Sequence, residues 1–142
     1  MKKILFLFTL IVCSTTAQNA TAQKKVIHQL RIYEIFDNNK AAFHQRFEDH
    51  AQRIMKNYGF HIVAMWESQG DKKTEFVYLL EWPDIITLQD SWAKFMKDEE
   101  WKEIKRRTGK LHGQLVGEIQ DRILTATPYS PVQGLDRMQV NN

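Results

Sequence analysis

The sequence predicts one α+β domain with the element order β-α-β-β-α-β, the split ferredoxin-like arrangement. Segments rich in β-branched and aromatic residues alternate in this order with segments whose apolar residues recur at helical spacing. Gly, Pro, Asn and Asp separate the segments, as expected of turns and helix ends. The length of 142 residues fits a single domain, and a chain that is 43% hydrophobic and 26% charged is neither disordered nor fibrous.

The first β-α-β unit begins with a strand over residues 26–35, which are rich in β-branched and aromatic side chains. Residues 37–39 offer Asp and Asn side chains for capping a helix over residues 40–58. Gly59 is expected to end the helix, and residues 60–69 form the second strand. At helical spacing, one face of this helix carries Phe43, Phe47, His50, Ala51, Ile54, Met55 and Tyr58.

The second unit starts with a hairpin, in which a polar loop from Gly70 leads into a strand over residues 75–82. Pro83 ends this strand because it cannot donate to a sheet, and Asp84 is a suitable cap for the helix that follows. The apolar face of this helix carries Ile85, Leu88, Trp92, Phe95 and Met96.

A second helical piece is expected to start at Asp98, with two glutamates in its first turn, where acids suit the helix dipole. Gly109 is expected to end it, and residues 115–125 form the last strand. The domain therefore covers residues 26–131. Residues 132–142 are expected to form a flexible tail.

The third strand is expected to be buried on both faces, because residues 76–80 are apolar at both odd and even positions. An antiparallel strand with one solvated face would alternate instead. Two helices cover only one face of a sheet. We therefore expect the other face to pack on a second copy of the chain, as a homodimer.

Residues 1–22 have the layout of a secretory signal peptide. Lys2 and Lys3 form a positive start, and residues 4–12 are uncharged and almost wholly apolar. This run is shorter than the roughly 20 apolar residues of a membrane-spanning helix. We expect a periplasmic or secreted protein with no membrane span.

Two positions suit signal cleavage: Ala22, in an A-x-A motif, and Ala17. Cys13 raises the alternative of a lipoprotein, although Val12 stands where a small residue is usual. Removal of residues 1–22 takes away the single cysteine and two lysines, so 18 basic residues remain against 17 acidic ones, a net charge of +1. The mature domain therefore lacks thiol chemistry, and its charge does not favour nucleic acid as a partner.

His50 is the candidate catalytic residue. Helical spacing places it on the apolar face, with Arg46 and Arg53 one turn away on either side. Partial burial and nearby cations would keep the imidazole neutral, so that it can act as a base or a hydrogen-bond acceptor. The alternative is a histidine at the edge of the core that bonds to a backbone carbonyl.

Aromatic residues also predict a small-molecule site between helices and sheet, with apolar walls and a few polar groups. Arg31 and Tyr33, two apart on one strand, project from the same face. The alternative is that the tryptophans only fill the core and the dimer interface. The candidate ligand-binding residues are Arg31, Tyr33, Phe47, His50, Trp66, Tyr78 and Trp92.

Other kinds of site have little support in the sequence. No two of the five histidines have the i, i+4 spacing of a helical metal pair, so we expect no metal and no bound cofactor. The basic residues 105–107 lie near several acids and are interpreted as a solvated helix face. No phosphate loop, dinucleotide fingerprint or nucleophile elbow is present.

Several segments along the chain carry a combined pattern, and its residues are Leu30 to Tyr33, Arg46 to His50, Tyr58 to Phe60, Trp66, Tyr78, Ser91, Trp92, Phe95, Asp98, Trp101 and Thr125 to Pro131. Together these segments resemble the NIPSNAP family of the dimeric α+β-barrel superfamily, over residues 26–131, in an exported member of bacterial type. The resemblance implies a ferredoxin-like protomer that pairs into a dimeric barrel, and it supplies no reaction.

Three functions follow as hypotheses, and whether the protein is an enzyme is left open. The first is a homodimer that binds a small, partly apolar molecule. The second is a cofactor-independent monooxygenase acting on an aromatic substrate, with His50 as the base. The third is a structural or interaction module without a pocket.

Overall fold

The computed structural model describes residues 26–70 and 73–131. The predicted signal peptide and the predicted tail over residues 132–142 lie outside these described residues. The elements are β1 (Ile27–Ile35), α1 (Lys40–Arg46), a π-helical segment (Phe47–Ala51), α2 (Gln52–Asn57), β2 (His61–Gln69), β3 (Thr74–Trp82), α3 (Ile85–Lys97), α4 (Glu99–His112) and β4 (Val116–Leu124).

The four strands form one antiparallel sheet in the order β2-β3-β1-β4, which confirms the predicted α+β ferredoxin-like arrangement. β1 is a central strand, and Arg31 lies opposite Tyr78 of β3 and opposite Asp121 of β4. Because side chains of a strand alternate between faces, Gln29, Arg31 and Tyr33 share one face.

The hydrophobic core lies between this face and the helices. Residues of β3 alternate strictly, with every even-numbered position from Thr74 to Trp82 buried. The helices contribute buried apolar side chains at the spacing the sequence predicts. The core residues are Ile35, Phe43, Phe47, Ala51, Ile54, Met55, Phe60, Phe76, Tyr78, Leu80, Trp82, Leu88, Phe95, Trp101, Ile104 and Leu115.

The other face of the sheet, which we call the open face, is covered by none of the described helices. Its centre is formed by four half-buried aliphatic side chains on β1 and β3, namely Leu30, Ile32, Val77 and Leu79. Trp66 lies opposite Val77 on β2 and is 51% exposed, and Leu124 of β4 is 39% exposed. The open face therefore has an apolar centre on β1, β3 and β2, next to Arg122 and Gln120 of β4.

The helix predicted over residues 40–58 differs from expectation at its centre. Phe47–Ala51 is π-helical, so an extra residue is accommodated in this turn. Phe47 and Ala51 are both buried, whereas His50 is only half-buried. A helical wheel, which assumes a constant rotation of about 100° per residue, does not account for the extra residue in this turn. The wheel therefore places His50 closer to the buried face than the structure does.

Two helix starts follow the sequence, at the predicted cap Asp84 and at Asp98, where a helical piece was expected to begin. Asp84 accepts a hydrogen bond from the Thr87 amide at 2.8 Å, and Asp98 accepts one from the Trp101 amide at 2.7 Å. The prediction that Asp or Asn caps α1 was wrong. The Asn39 side chain instead donates to the carbonyls of His112 and Gln114, both at 2.9 Å, and makes no cap bond to its own helix.

α4 does not end at Gly109, which was the expected terminus. Its last residue is His112, and Gly113 takes the positive φ of +76° that a glycine adopts at little cost. The Gly113 amide donates to the Gly109 carbonyl at 3.0 Å, so Gly109 lies one turn before the end. Gly59, also at φ +76°, ends α2 as predicted.

Candidate functional site

A polar network lies on the helix-covered face of the sheet, and Gln29 is its hub. The side chain of Gln29 is buried, and its Oε1 accepts hydrogen bonds from Trp82 Nε1 at 3.1 Å and Trp92 Nε1 at 2.8 Å. Its Nε2 lies 3.0 Å from both carboxylate oxygens of Asp121. This amide therefore links β1 to β3, α3 and β4.

Arg31 extends the network by one position along β1. Its Nη1 donates to Asp121 Oδ2 at 2.7 Å and its Nη2 donates to the Tyr33 hydroxyl at 3.2 Å. The guanidinium also stacks 4.6 Å from the centre of the Trp92 ring. Burial acts to lower the pKa of Arg31, but its interactions with tyrosines and with Asp121 hold the pKa above its ordinary value, so the side chain stays charged.

Two tyrosine hydroxyls meet beside this guanidinium. The hydroxyls of Tyr33 and Tyr78 are 2.8 Å apart, and their rings pack edge to face. Tyr78 is completely buried, and burial raises the pKa of its hydroxyl well above the ordinary value. Tyr78 therefore remains protonated near neutral pH.

A cavity of about 40 Å³ adjoins the tyrosine pair, between the sheet and the π-helical segment. A volume of roughly 10–15 Å³ on this measure holds one water molecule, so this cavity holds a few. Its wall is mainly aromatic and aliphatic. The lining residues are Tyr33, Phe43, Arg46, Phe47, Ala51, Met55, Tyr78, Trp92, Phe95, Trp101 and Val116.

Arg46 is the charged residue in this wall. Its Nη1 donates to the Thr108 hydroxyl at 3.2 Å, and that hydroxyl in turn donates to the Ile104 carbonyl at 2.8 Å. Burial lowers the pKa of Arg46. The cavity therefore combines an apolar wall with two hydroxyls and a guanidinium, the composition of a small-molecule site.

The sequence and the fold were compared with known protein families and solved structures. The family model named NIPSNAP matches residues 28–131, which is most of the chain. The chain belongs to the NIPSNAP family. Among curated proteins, no sequence matches it.

Solved structures of NIPSNAP proteins have the same fold. An uncharacterized NIPSNAP-like domain protein from Burkholderia xenovorans is 21% identical, with a TM-score of 0.66, and the match covers 79% of this chain and 94% of that one. A NIPSNAP family protein of unknown function from Agrobacterium tumefaciens is 18% identical, with a TM-score of 0.64 and coverages of 76% and 94%. At these identities the likeness establishes the fold alone.

One further neighbour is an enzyme. A cofactor-independent oxygenase from Streptomyces nogalater is 14% identical, with a TM-score of 0.50, and the match covers 76% of this chain and 99% of that one. The NIPSNAP domain thus shares its architecture with the dimeric α+β-barrel monooxygenases. Shared architecture does not carry a reaction with it.

Most of the site residues predicted for this NIPSNAP chain come together in space. Phe47, Tyr33, Tyr78 and Trp92 line the cavity, and Arg31 hydrogen-bonds to Tyr33 beside it. His50 and Trp66 do not join them. His50 is half-buried on the π-helical segment and is absent from the cavity wall, and Trp66 lies on the open face.

The sequence interpretation of this NIPSNAP chain missed Gln29, Asp121 and Arg46 as members of the site. Gln29 had a usable signal, because it lies two residues before Arg31 and therefore on the same strand face. Asp121 joins them only through the pairing of β1 with β4, more than 85 positions apart in the sequence. In the sequence, Arg46 stands out only as a neighbour of His50 and as part of the segment Arg46 to His50 that resembles the family.

Within residues 26–70 and 73–131 of the NIPSNAP chain, no three His, Cys, Asp or Glu side chains are grouped closely enough to hold a metal ion. In the same described residues, no helix has the length and apolar character needed to cross a membrane.

Proposed function

We propose that this NIPSNAP protein is an exported homodimer that binds a small, partly apolar molecule between its helices and its sheet. The observation that carries the proposal is the cavity beside Tyr33 and Tyr78, where aromatic walls meet two hydroxyls and a guanidinium. The signal-peptide pattern of residues 1–22 supports export to the periplasm or beyond.

Polar groups near the cavity favour binding over a purely structural role. The Nε of Arg31 is buried and has no hydrogen-bond partner among the described residues, although the rest of its guanidinium is well bonded. A buried donor without a partner is costly, and a bound water or ligand would relieve that cost.

The size of the cavity limits what it can hold. Drug-sized ligands occupy pockets of several hundred Å³, far above the about 40 Å³ found here. The ligand would therefore place a small end inside the cavity while its remaining atoms lie outside it. A larger buried portion would require the α1–α4 side of the wall to move outward.

The open face supports the homodimer. Its central aliphatic residues, together with Trp66, form an apolar surface over β1, β3 and β2, which Gln120 and Arg122 border on β4. Contiguous apolar surface of this kind marks an interaction site on a soluble protein. A second copy of the same sheet offers a surface of matching shape and polarity.

Native mass spectrometry of protein purified from its source tests the ligand proposal. We expect a dimer of chains beginning after Ala22 or Ala17, carrying a retained non-covalent mass. The variant Ala51→Leu fills the cavity wall and should lose the retained mass, because Ala51 is buried and lines the cavity. Ala41→Leu, on the exposed side of α1, is the matched control and should keep it. Retention of the mass by Ala51→Leu would place the ligand elsewhere.

A second candidate is a cofactor-independent oxygenase acting on an aromatic substrate, which the fold neighbour from Streptomyces nogalater favours. This activity needs a base, and Tyr78 is held protonated by burial. His50 is the predicted base, and the π-helical segment that carries it borders the cavity through Phe47 and Ala51. Oxygen consumption with phenol and hydroquinone probes tests it: His50→Ala should abolish turnover and retain binding. Unchanged turnover by this variant would remove His50 as the base.

A further inference from the structure

Two cationic side chains flank one indole ring at the edge of the cavity. The guanidinium carbon of Arg46 lies 5.7 Å from the centre of the Trp101 ring, and the Lys105 ammonium lies 5.6 Å from it. Both cations are half-buried, and Arg46 and Trp101 belong to the cavity wall. Positive charge is thus concentrated at the part of the cavity wall that Arg46 and Trp101 form.

Neither cation forms an ion pair within the described part of the chain, in contrast to three other cations of the same region. Arg53 pairs with Glu100, Lys102 with Glu99, and Arg106 with Glu103. Burial is the main influence that lowers the pKa of Lys105, and the nearby Arg46 lowers it further. The two side chains therefore repel each other without a compensating carboxylate.

Arg31, which hydrogen-bonds to Tyr33 of the cavity wall, is different because Asp121 already neutralises it. Its contact with Asp121 is 2.7 Å, and its guanidinium is enclosed by Trp92 and Tyr33. The charge of Arg31 is therefore already balanced, and the uncompensated positive charge beside the cavity is that of Arg46 and Lys105.

We propose that Arg46 and Lys105 bind the carboxylate of an organic acid whose flat apolar body enters the cavity lined by Arg46 and Trp101. This inference rests on the proposed ligand-binding function and names its substrate class. A guanidinium presents parallel N–H groups that match a planar carboxylate, and Thr108 orients the Arg46 guanidinium by accepting from its Nη1. The small cavity also suits a compact planar anion better than a bulky one.

Isothermal titration calorimetry with benzoate and benzamide tests the inference, because the two probes have nearly the same shape and differ in charge. We expect benzoate to bind about tenfold or more tightly than benzamide, as a charge-assisted hydrogen bond contributes at least that factor. Arg46→Gln and Lys105→Gln should each weaken benzoate by about tenfold and leave benzamide unchanged. Lys110→Gln removes an exposed cation from the same helix and should change neither.

The outcomes separate the two levels of the proposal. Equal affinities for benzoate and benzamide would overturn acid recognition, and so would unchanged benzoate affinity in both Gln variants. Neither outcome would contradict the proposed ligand site. Displacement of benzoate by equimolar inorganic phosphate overturns the assignment to a carboxylate. Failure of the wild-type protein to bind either probe overturns the acid inference, and the ligand site is overturned separately if native mass spectrometry finds no retained mass. If Arg46→Gln does not fold, the Lys105→Gln result decides.

Discussion

At the residue scale, Gln29 shows how one side chain can satisfy demands that no other residue type meets. Its carbonyl oxygen faces two indole N–H donors, and its amide nitrogen faces two carboxylate oxygens. A glutamate would place a negative group against Asp121, and an aliphatic residue would offer neither donor nor acceptor. The orientation of the amide is thereby determined by its neighbours.

The variant Gln29→Met should lower the free energy of unfolding by about 2–3 kcal/mol, because it leaves the completely buried Trp82 indole without an acceptor. Urea denaturation followed by circular dichroism measures this difference. Gln69→Met, on the exposed end of β2, should stay within about 0.5 kcal/mol of wild type. Equal stability of the two variants would show that the hub is replaceable.

The residues of the site differ in how well the sequence alone predicts them. Arg31, Tyr33, Tyr78 and Trp92 were predicted because strand alternation and helical spacing are local rules. The contribution of Asp121 depends on strand register, which no residue near Asp121 determines by itself. Arg46 was overlooked because a single arginine on a helix has no distinguishing pattern until the cavity beside it is known.

At the element scale, the junction between α3 and α4 is held by one carboxylate. Asp98 accepts from the Trp101 amide and from the Tyr58 hydroxyl, each at 2.7 Å. These hydrogen bonds, that of the Trp101 amide first, lower the pKa of Asp98 below its ordinary value. The charged form of Asp98 therefore stabilises the start of α4 and its attachment to the end of α2.

A lowered pKa in the folded state means that this stabilisation is present above the ordinary pKa of about 3.9 and is lost as the pH falls through the folded value. The variant Asp98→Asn keeps a capping side chain but cannot titrate. Between pH 6 and pH 3, its free energy of unfolding should fall less than that of wild type. Asp90→Asn, exposed on α3, should follow wild type. Parallel curves for wild type and Asp98→Asn would contradict this role.

The elements differ in how well the sequence predicts them. Asp84 and Asp98 act as caps because a helix start is a local event within four residues. The role of Asn39 could not be predicted from local sequence, because its amide donates to carbonyls at the far end of α4 instead of capping its own helix. The π-helical turn is also unpredicted, because apolar residues at Phe47 and Ala51 fit a regular α-helix equally well.

At the scale of the whole molecule, the sheet divides the protein into two surfaces of different composition. One surface faces the helices and carries the polar network and the cavity. The other is the open face, where Leu79 and Leu30 lie opposite each other at the centre. The two-sided apolar pattern of β3, evident in the sequence, corresponds to this division.

The variant Leu79→Lys should convert the proposed homodimer into a monomer, because it places a charge at the centre of the open face. Sedimentation equilibrium at about 10 μM, well above the dissociation constant of a stable dimer, measures the change. Leu111→Lys, at a 70% exposed position on α4, should leave the mass unchanged. A monomeric wild-type protein at this concentration would refute the dimer.

The four tryptophans are distributed unequally between the two surfaces, and each surface thereby has its own optical probe. Trp92 and Trp101 line the cavity, whereas Trp66 is half-exposed on the open face. Fluorescence that remains in a Trp66→Phe protein therefore reports occupancy of the cavity. The emission lost by that substitution reports association of the sheets, so the two events can be recorded separately in one unlabelled sample.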